Sequence, residues 1–112
     1  MHYEELDPIS RDEALAELHA GGWERISVAL TRLALHDPDP AWLQAILLPY
    51  TSYSHPWVRG VAAMNLAHVA RLHGQLDLEI CIPAIRSLLE DETTREKAQD
   101  ALDDIELYVV SV

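Results

Sequence analysis

The sequence predicts an all-α fold, a short α-solenoid of about six helices. Apolar residues recur at helical spacing along almost the whole chain, and helix start and stop signals separate the segments. No stretch of four or more residues alternates apolar and polar positions, so no strand is predicted. With 112 residues and a 49% apolar composition, the chain is expected to form one domain around one core.

The first two helices are predicted on either side of a glycine pair. Ser10 and Glu13 form a capping box, and Gly21-Gly22 ends the helix that follows. The apolar positions of this helix are Ala14, Leu15 and Leu18. The second helix begins near Trp23 and ends before Asp37. Its apolar stripe consists of Ile26, Ala29, Leu30 and Leu33.

The third and fourth helices both start at a capping residue followed by proline. Asp39-Pro40 opens the third helix, which extends to about Leu48, and His55-Pro56 opens the fourth. Residues 49–54 lack an apolar stripe and are predicted to form a loop. The fourth helix runs to about Leu72. Its inner face consists of Val58, Val61, Ala62, Leu66 and Val69.

The last two helices follow a stop signal at His73-Gly74. Asp77 is predicted to cap the fifth helix, in which Pro83 implies a kink or a late start. The apolar residues of this helix are Leu78, Ile82, Ile85, Leu88 and Leu89. A turn at residues 91–94 leads to the sixth helix. Its inward residues are Ala98, Ala101, Leu102, Ile105 and Val109.

The charge is strongly negative and unevenly placed. Nineteen acidic and eight basic residues give a net charge of −11, with −6 over residues 1–24, +2 over residues 25–76 and −7 over residues 77–112. Such a chain repels phosphate, so direct binding of nucleic acid is not expected. Two interpretations remain open: the acids attract a basic partner protein, or they only keep the chain soluble.

Several function classes are disfavoured by what the sequence lacks. The longest apolar run, residues 45–50, is far too short to span a bilayer, and the N-terminal residues are acidic where a signal peptide is basic. We therefore expect a cytoplasmic protein without a membrane partner. Cys81 is the single cysteine and lies in an apolar run, where a buried and inert thiol is expected.

No catalytic, cofactor or metal motif is recognisable. His68 and His73 are five residues apart, which puts them on different helix faces rather than at a metal-binding spacing. There is neither a glycine-rich phosphate loop nor a nucleophile elbow. The sequence therefore predicts no enzyme, no bound metal and no cofactor. Gly60, with Ala63 and Ala67, is expected to form a thin helix face for close packing.

The last four helices carry an internal repeat. At an offset of 36 residues the matching positions are Arg59 with Arg95, Ala62 with Ala98, Leu66 with Leu102, and Val69 with Ile105. Two helical hairpins with matched inner faces imply stacked units that share one core. The two arginines are expected to hold the turns between helices, with the region of Asp91 as a partner.

Two segments resemble HEAT repeats. Residues 83–91 have the HEAT pattern together with Arg95, Ala98, Ala101 and Leu102, although Thr94 stands where valine usually precedes the arginine. Residues 55–66 share the valine–arginine pair and the paired alanines of the pattern.

The HEAT resemblance implies an organisation for the whole chain. It implies a right-handed solenoid of helical hairpins within a single domain, residues 1–112. One repeat would occupy residues 38–74 and another residues 77–110, and residues 1–37 would form an N-terminal cap or a degenerate repeat.

Residues 69–77 and 98–105 narrow the resemblance to short bacterial HEAT-like proteins. Some of these are immunity proteins paired with toxins of polymorphic or contact-dependent growth inhibition (CDI) systems. The resemblance implies a stand-alone inhibitor with no activity of its own, whose partner is a cognate protein toxin.

Two groups of residues are the candidates for contact with a partner. The enlarged turn holds Tyr50 and Tyr53, beside Trp57, and its tyrosine rings have no apolar stripe to pack into. The last helix carries Asp100, Asp103, Asp104 and Glu106 opposite its apolar stripe. These acids are interpreted either as a solvated face or as a partner-binding surface. Tryptophans that open helices can also pack as lids over a neighbouring repeat, namely Trp23, Trp42 and Trp57.

The leading hypothesis is an immunity protein that binds a basic toxin, expected to be a nuclease, and occludes its active site. Acids on the last helix would take the place of substrate phosphate, and aromatic anchors would fix the register. The alternative is a generic HEAT-like scaffold or regulator whose groove takes a peptide or a helix from another protein.

Overall fold

Within residues 6–109, the part of the chain that the computed structural model describes, the fold consists of six α-helices and two short 3-10 helices, and no strand occurs there. The α-helices are α1 (Arg11–Ala20), α2 (Trp23–His36), α3 (Pro40–Leu47), α4 (Pro56–His73), α5 (Leu78–Ser87) and α6 (Arg95–Tyr108). The 3-10 helices are Leu48–Ser52 and Leu88–Glu90. The all-α prediction is therefore confirmed.

The helices are arranged in two layers. Helices α2, α4 and α6 pack side by side with α4 in the middle, and α1, α3 and α5 each pack on the helix that follows them. Apolar residues of all six helices form one core. This packing is consistent with a short helical solenoid, in which consecutive hairpins stack and share their apolar faces. No helix within residues 6–109 is both long enough and apolar enough to cross a membrane.

Three predicted helix starts are confirmed by their hydrogen bonds. The Ser10 hydroxyl accepts the backbone N–H of Glu13 at 3.1 Å. Asp39 Oδ1 accepts two backbone N–H groups of α3, at 3.1 and 3.2 Å, and His55 Nδ1 accepts one at the start of α4, at 3.1 Å. Each bond satisfies an N–H group that has no partner within its own helix. At the other end of α4, Gly74 adopts a left-handed conformation with φ of +65°, which favours glycine.

Two local predictions are wrong, and of the kink or late start predicted for α5 the late start is excluded. Residues 49–54 are not a plain loop, because Leu48–Ser52 forms a 3-10 helix in which the Thr51 hydroxyl donates to a backbone carbonyl at 2.7 Å. Asp77 precedes α5 but its side chain makes no capping hydrogen bond. Helix α5 also does not start late, since it continues through Pro83. Proline leaves the carbonyl four residues earlier without its N–H donor, and here both Pro83 and Glu79 are exposed, so water can replace that donor.

Helix α4 forms the centre of the core. Ten of its residues are buried, including Leu66, which has no solvent exposure. Several residues of the predicted apolar stripes are less buried than expected, among them Leu15, which is 37% exposed, and Leu102, which is only partly buried. Helix α1 packs mainly on α2, and α6 lies at the end of the stack, so each has a flank that no further helix of the described chain covers.

The thin face of α4 allows α6 to approach closely, as predicted. Gly60, Ala63 and Ala67 are all buried. A Cβ atom added to Gly60 would lie 2.8 Å from Cδ of Lys97, which is closer than carbon atoms pack. The side chain of Lys97 therefore occupies the space that a larger residue at position 60 would need.

The two arginines of the repeat hold turns, which confirms their predicted role. Arg59 Nη1 donates to the carbonyl of Tyr53 at 2.8 Å, and its Nη2 donates to Asp91 Oδ2 at 3.0 Å. Arg95 Nε donates to the carbonyl of Leu89 at 2.8 Å. Hydrogen bonds from Thr93 and then from Arg59 hold the pKa of Asp91 below its usual range.

Cys81 is fully buried in α5, as predicted, and burial raises the pKa of its thiol to about 11. The thiolate is the reactive form of cysteine, so the folded protein holds very little of it at about pH 8. We expect a disulfide reagent at this pH to modify the folded chain about a hundredfold more slowly than the chain unfolded in urea, measured by absorbance. Equal rates in both states would contradict the burial of Cys81.

Candidate protein-binding site

The acidic residues of α6 lie on the surface, as predicted. Asp100, Asp103, Asp104 and Glu106 are all exposed, whereas Ala98, Ala101 and Ile105 of the same helix are buried. None of the four acids forms an ion pair with another residue in the described part of the chain. Their charges are therefore directed to solvent, where they are available to a basic partner.

The structure divides these four acids into two pairs. Asp103 and Glu106 line a groove between α5 and α6, whereas Asp100 and Asp104 do not. The division follows from the helical rotation of about 100° per residue, which places Glu106 and Asp103 nearest the groove and Asp100 and then Asp104 further round the helix. Gln99, one turn before Asp103, donates a hydrogen bond from Nε2 to Asp103 Oδ1 at 3.0 Å and holds this carboxylate at the groove.

This α5–α6 groove is lined by both apolar and polar side chains and has a volume of about 700 Å³. Its partly buried apolar residues are Leu78, Ile82, Leu89, Leu102 and Val109. Its polar side chains are Arg86, Gln99, Asp103 and Glu106. Apolar surface together with polar groups is the composition of protein–protein interfaces.

The groove is not predicted from the sequence, because the apolar stripes assign all of these residues to the core. In α5 the buried residues are Cys81 and Ile85, while Leu78 and Ile82 lie on a flank of the same stripe and remain partly exposed. The sequence does contain one indication of the groove. The apolar stripe of α5 is broader than the surface that one neighbouring helix can cover.

The two tyrosines are packed rather than presented, so the expectation that they have no apolar surface to pack into is wrong. Tyr50 and Tyr53 are both partly buried against the core, with their ring centroids 5.6 Å apart. Burial also raises the pKa of Tyr50. The 3-10 helix that contains Tyr50 is in contact with α3, α4 and α5. Their role as partner contacts stays a prediction.

Trp57 belongs to a different cluster from the one predicted. It is 45% exposed, and its ring centroid lies 6.1 Å from that of Trp23, with an angle of 70° between the rings. Trp23 is 40% exposed and stacks on His55 at 4.9 Å. The ammonium group of Lys97 lies 4.2 Å from the centre of the Trp57 ring. Two exposed tryptophans thus lie side by side in the first turns of α2 and α4. Their separation in the sequence does not predict this pairing.

No group of three or more histidine, cysteine, aspartate or glutamate side chains within residues 6–109 is arranged to hold a metal ion. The groups that the α5–α6 groove and the exposed tryptophans present to a partner are apolar side chains, carboxylates and indole rings.

The fold has a close counterpart among solved structures. A chain in the crystal structure of a CDI complex from Cupriavidus taiwanensis LMG 19424 superposes with a TM-score of 0.85 at 27% sequence identity, over 98% of this chain and 99% of that chain. Neither a protein-family model nor a curated protein matches the sequence. Similarity over nearly the full length of both chains is consistent with a CDI immunity-like protein, and it confirms the resemblance to CDI immunity proteins that residues 69–77 and 98–105 carry.

Proposed function

We propose that this chain is an immunity protein that binds a cognate toxin and neutralises it by covering its active site. The observation that carries the proposal is the full-length structural similarity to a chain of a CDI complex. In this proposal the chain acts in the cytoplasm as a binding protein, and it has no catalytic activity of its own.

The α5–α6 groove supplies the binding surface in this mechanism. A protruding segment of the toxin would bury the exposed flanks of Leu78, Ile82 and Leu102, because removing apolar surface from water is favourable. Asp103 and Glu106 of the groove would pair with basic residues of the toxin and fix its orientation. The groove belongs to residues 77–110, the second of the two proposed HEAT-like repeats.

The charge of the chain supports a basic toxin, and we propose a nuclease. A nuclease binds phosphate through basic side chains at its active site. The net charge of −11 and the exposed carboxylates of α6 would attract such a surface over long range. Bound there, the carboxylates would occupy positions that substrate phosphates take in the free toxin.

A growth assay tests this function. The chain is used as bait in its native host, the captured toxin is identified by mass spectrometry, and a susceptible bacterium expresses that toxin with or without the chain. We expect growth to be restored only when the chain is present. In vitro, adding the chain is expected to stop cleavage of nucleic acid by the purified toxin.

Two isoleucines of α5 provide a matched pair of variants. Ile82 lines the groove, whereas Ile80 is 49% exposed and lies outside it. Ile82→Arg is expected to abolish protection, and Ile80→Arg is expected to preserve it. A chain that binds the captured protein without restoring growth would contradict neutralisation and favour a HEAT-like scaffold. Protection that survives Ile82→Arg would contradict the role of the α5–α6 groove as the toxin-binding surface.

A further inference from the structure

A second cavity lies between α2 and α4, away from the α5–α6 groove. Its volume is about 270 Å³, and the uncharged residues that line it are Leu6, Trp23, Ser27, Val28, Thr31, Trp57 and Val61. Glu24, in the first turn of α2, is the one charged residue among its lining residues. We call this cavity the tryptophan pocket. Its combination of two indole rings, aliphatic side chains and one carboxylate is suited to a long side chain that ends in a cation.

Glu24 is unpaired, although two arginines lie close to it. Arg25 pairs instead with Glu17 at 2.7 Å. Arg32 donates to the carbonyls of Asp7 and Pro8 at 2.8 and 2.9 Å. Glu24 forms no ion pair within residues 6–109. Its carboxylate thus has no ion-pair partner among the described residues, and the cation that the chain places at the pocket, Lys97, lies over the ring of Trp57.

The other two tryptophans of this chain each carry a cation on the ring. The Arg11 guanidinium carbon lies 4.0 Å from the centre of the Trp42 ring, and Lys97 Nζ lies 4.2 Å from that of Trp57. Within the described residues Trp23 has no such partner: its ring contacts are with His55 and Trp57. Trp23 is therefore the indole ring without a cation from the described residues, and with His55 stacked on one face it leaves the other face to a cation from outside.

We infer that the tryptophan pocket receives an arginine side chain of a partner protein. The guanidinium stacks against Trp23 and pairs with the Glu24 carboxylate, and the carbon stem packs between Val28 and Val61. Arginine fits better than lysine because its planar group stacks on aromatic rings and is less strongly hydrated. The inference rests on the proposed function only for the identity of the partner, to which the pocket adds a contact separate from the α5–α6 groove.

A titration followed by NMR tests the pocket without any toxin. The indole N–H groups of Trp23, Trp42 and Trp57 give three signals, and N-acetyl-arginine amide is added to the labelled protein. We expect the Trp23 and Trp57 signals to shift and saturate, whereas Trp42, already covered by Arg11, stays in place. N-acetyl-citrulline amide, which has a similar shape but no charge, is expected to bind at least about threefold more weakly.

Two glutamates provide the matched variants for this titration. Glu24 and Glu79 are both exposed residues in the first turn of a helix, and only Glu24 lines the pocket. Glu24→Gln is expected to reduce the affinity for N-acetyl-arginine amide at least about threefold, and Glu79→Gln to leave it unchanged. Equal binding of the citrulline probe, or no saturable shift at Trp23 and Trp57, would overturn the inference. Neither result depends on the growth assay, so the two proposals fail separately.

Discussion

Replacing Leu66 with alanine is expected to lower the free energy of unfolding by about 2–5 kcal/mol. Leu66 has no solvent exposure and lies in α4, the helix that contacts both α2 and α6. Truncation removes buried methyl groups and leaves a cavity that the neighbouring helices cannot close. Urea denaturation followed by circular dichroism measures the loss, with the helical signal at zero denaturant showing that each variant is folded.

Leu102→Ala is the matched control, because Leu102 occupies the equivalent position of the repeat but is only partly buried. We expect a smaller loss there, since part of that side chain already contacts water. Equal losses at the two positions would contradict the difference in burial. A loss below about 0.5 kcal/mol at Leu66 would contradict the central position of α4.

Reversing the two acids of the groove is expected to weaken toxin binding more than reversing the other two. The groove pair is Asp103→Lys with Glu106→Lys, and the matched pair is Asp100→Lys with Asp104→Lys. Each pair changes the net charge from −11 to −7, two units per reversal. Both should slow association, because long-range attraction depends on total charge. Only the groove pair should also speed dissociation, with a combined loss of affinity of about tenfold or more.

Surface plasmon resonance over a salt series measures both rates against the toxin captured from the native host. Association of the unmodified chain is expected to slow as salt rises, while dissociation changes less, because salt screens long-range attraction most strongly. Circular dichroism checks that the variants remain helical. If both pairs associate at the unmodified rate at every salt concentration, the acids of α6 serve solubility alone and the binding surface lies elsewhere.

The features that the sequence predicts well are those formed by contacts between residues close together in the chain. The starts of α1, α3 and α4 depend on a side chain and an N–H group two or three residues away, so Ser10, Asp39 and His55 could be recognised directly. The role of Arg59 was also accessible, because the repeat aligned it with Arg95 and placed Asp91 in the adjoining turn.

Features that depend on distant parts of the chain could not be predicted. The apolar stripe of α6 shows which face points inward, but it does not show that the flank with Leu102 lacks a covering helix. Trp23 and Trp57 come together because α2 packs against α4, and nothing in the intervening sequence encodes that contact. The tyrosines were misjudged for the same reason, since their apolar contacts come from other elements.

The hydrogen bonds of the Arg59 guanidinium affect how the folded protein opens. This guanidinium binds the turn before α4 through the Tyr53 carbonyl and the turn before α6 through Asp91. The α5–α6 hairpin cannot move away from α4 without breaking this link, and its movement would also expose Gly60, which lies beneath Lys97. The α3–α4 and α5–α6 hairpins should therefore open as one cooperative unit. Their most protected amides are then expected to exchange with solvent at a common rate.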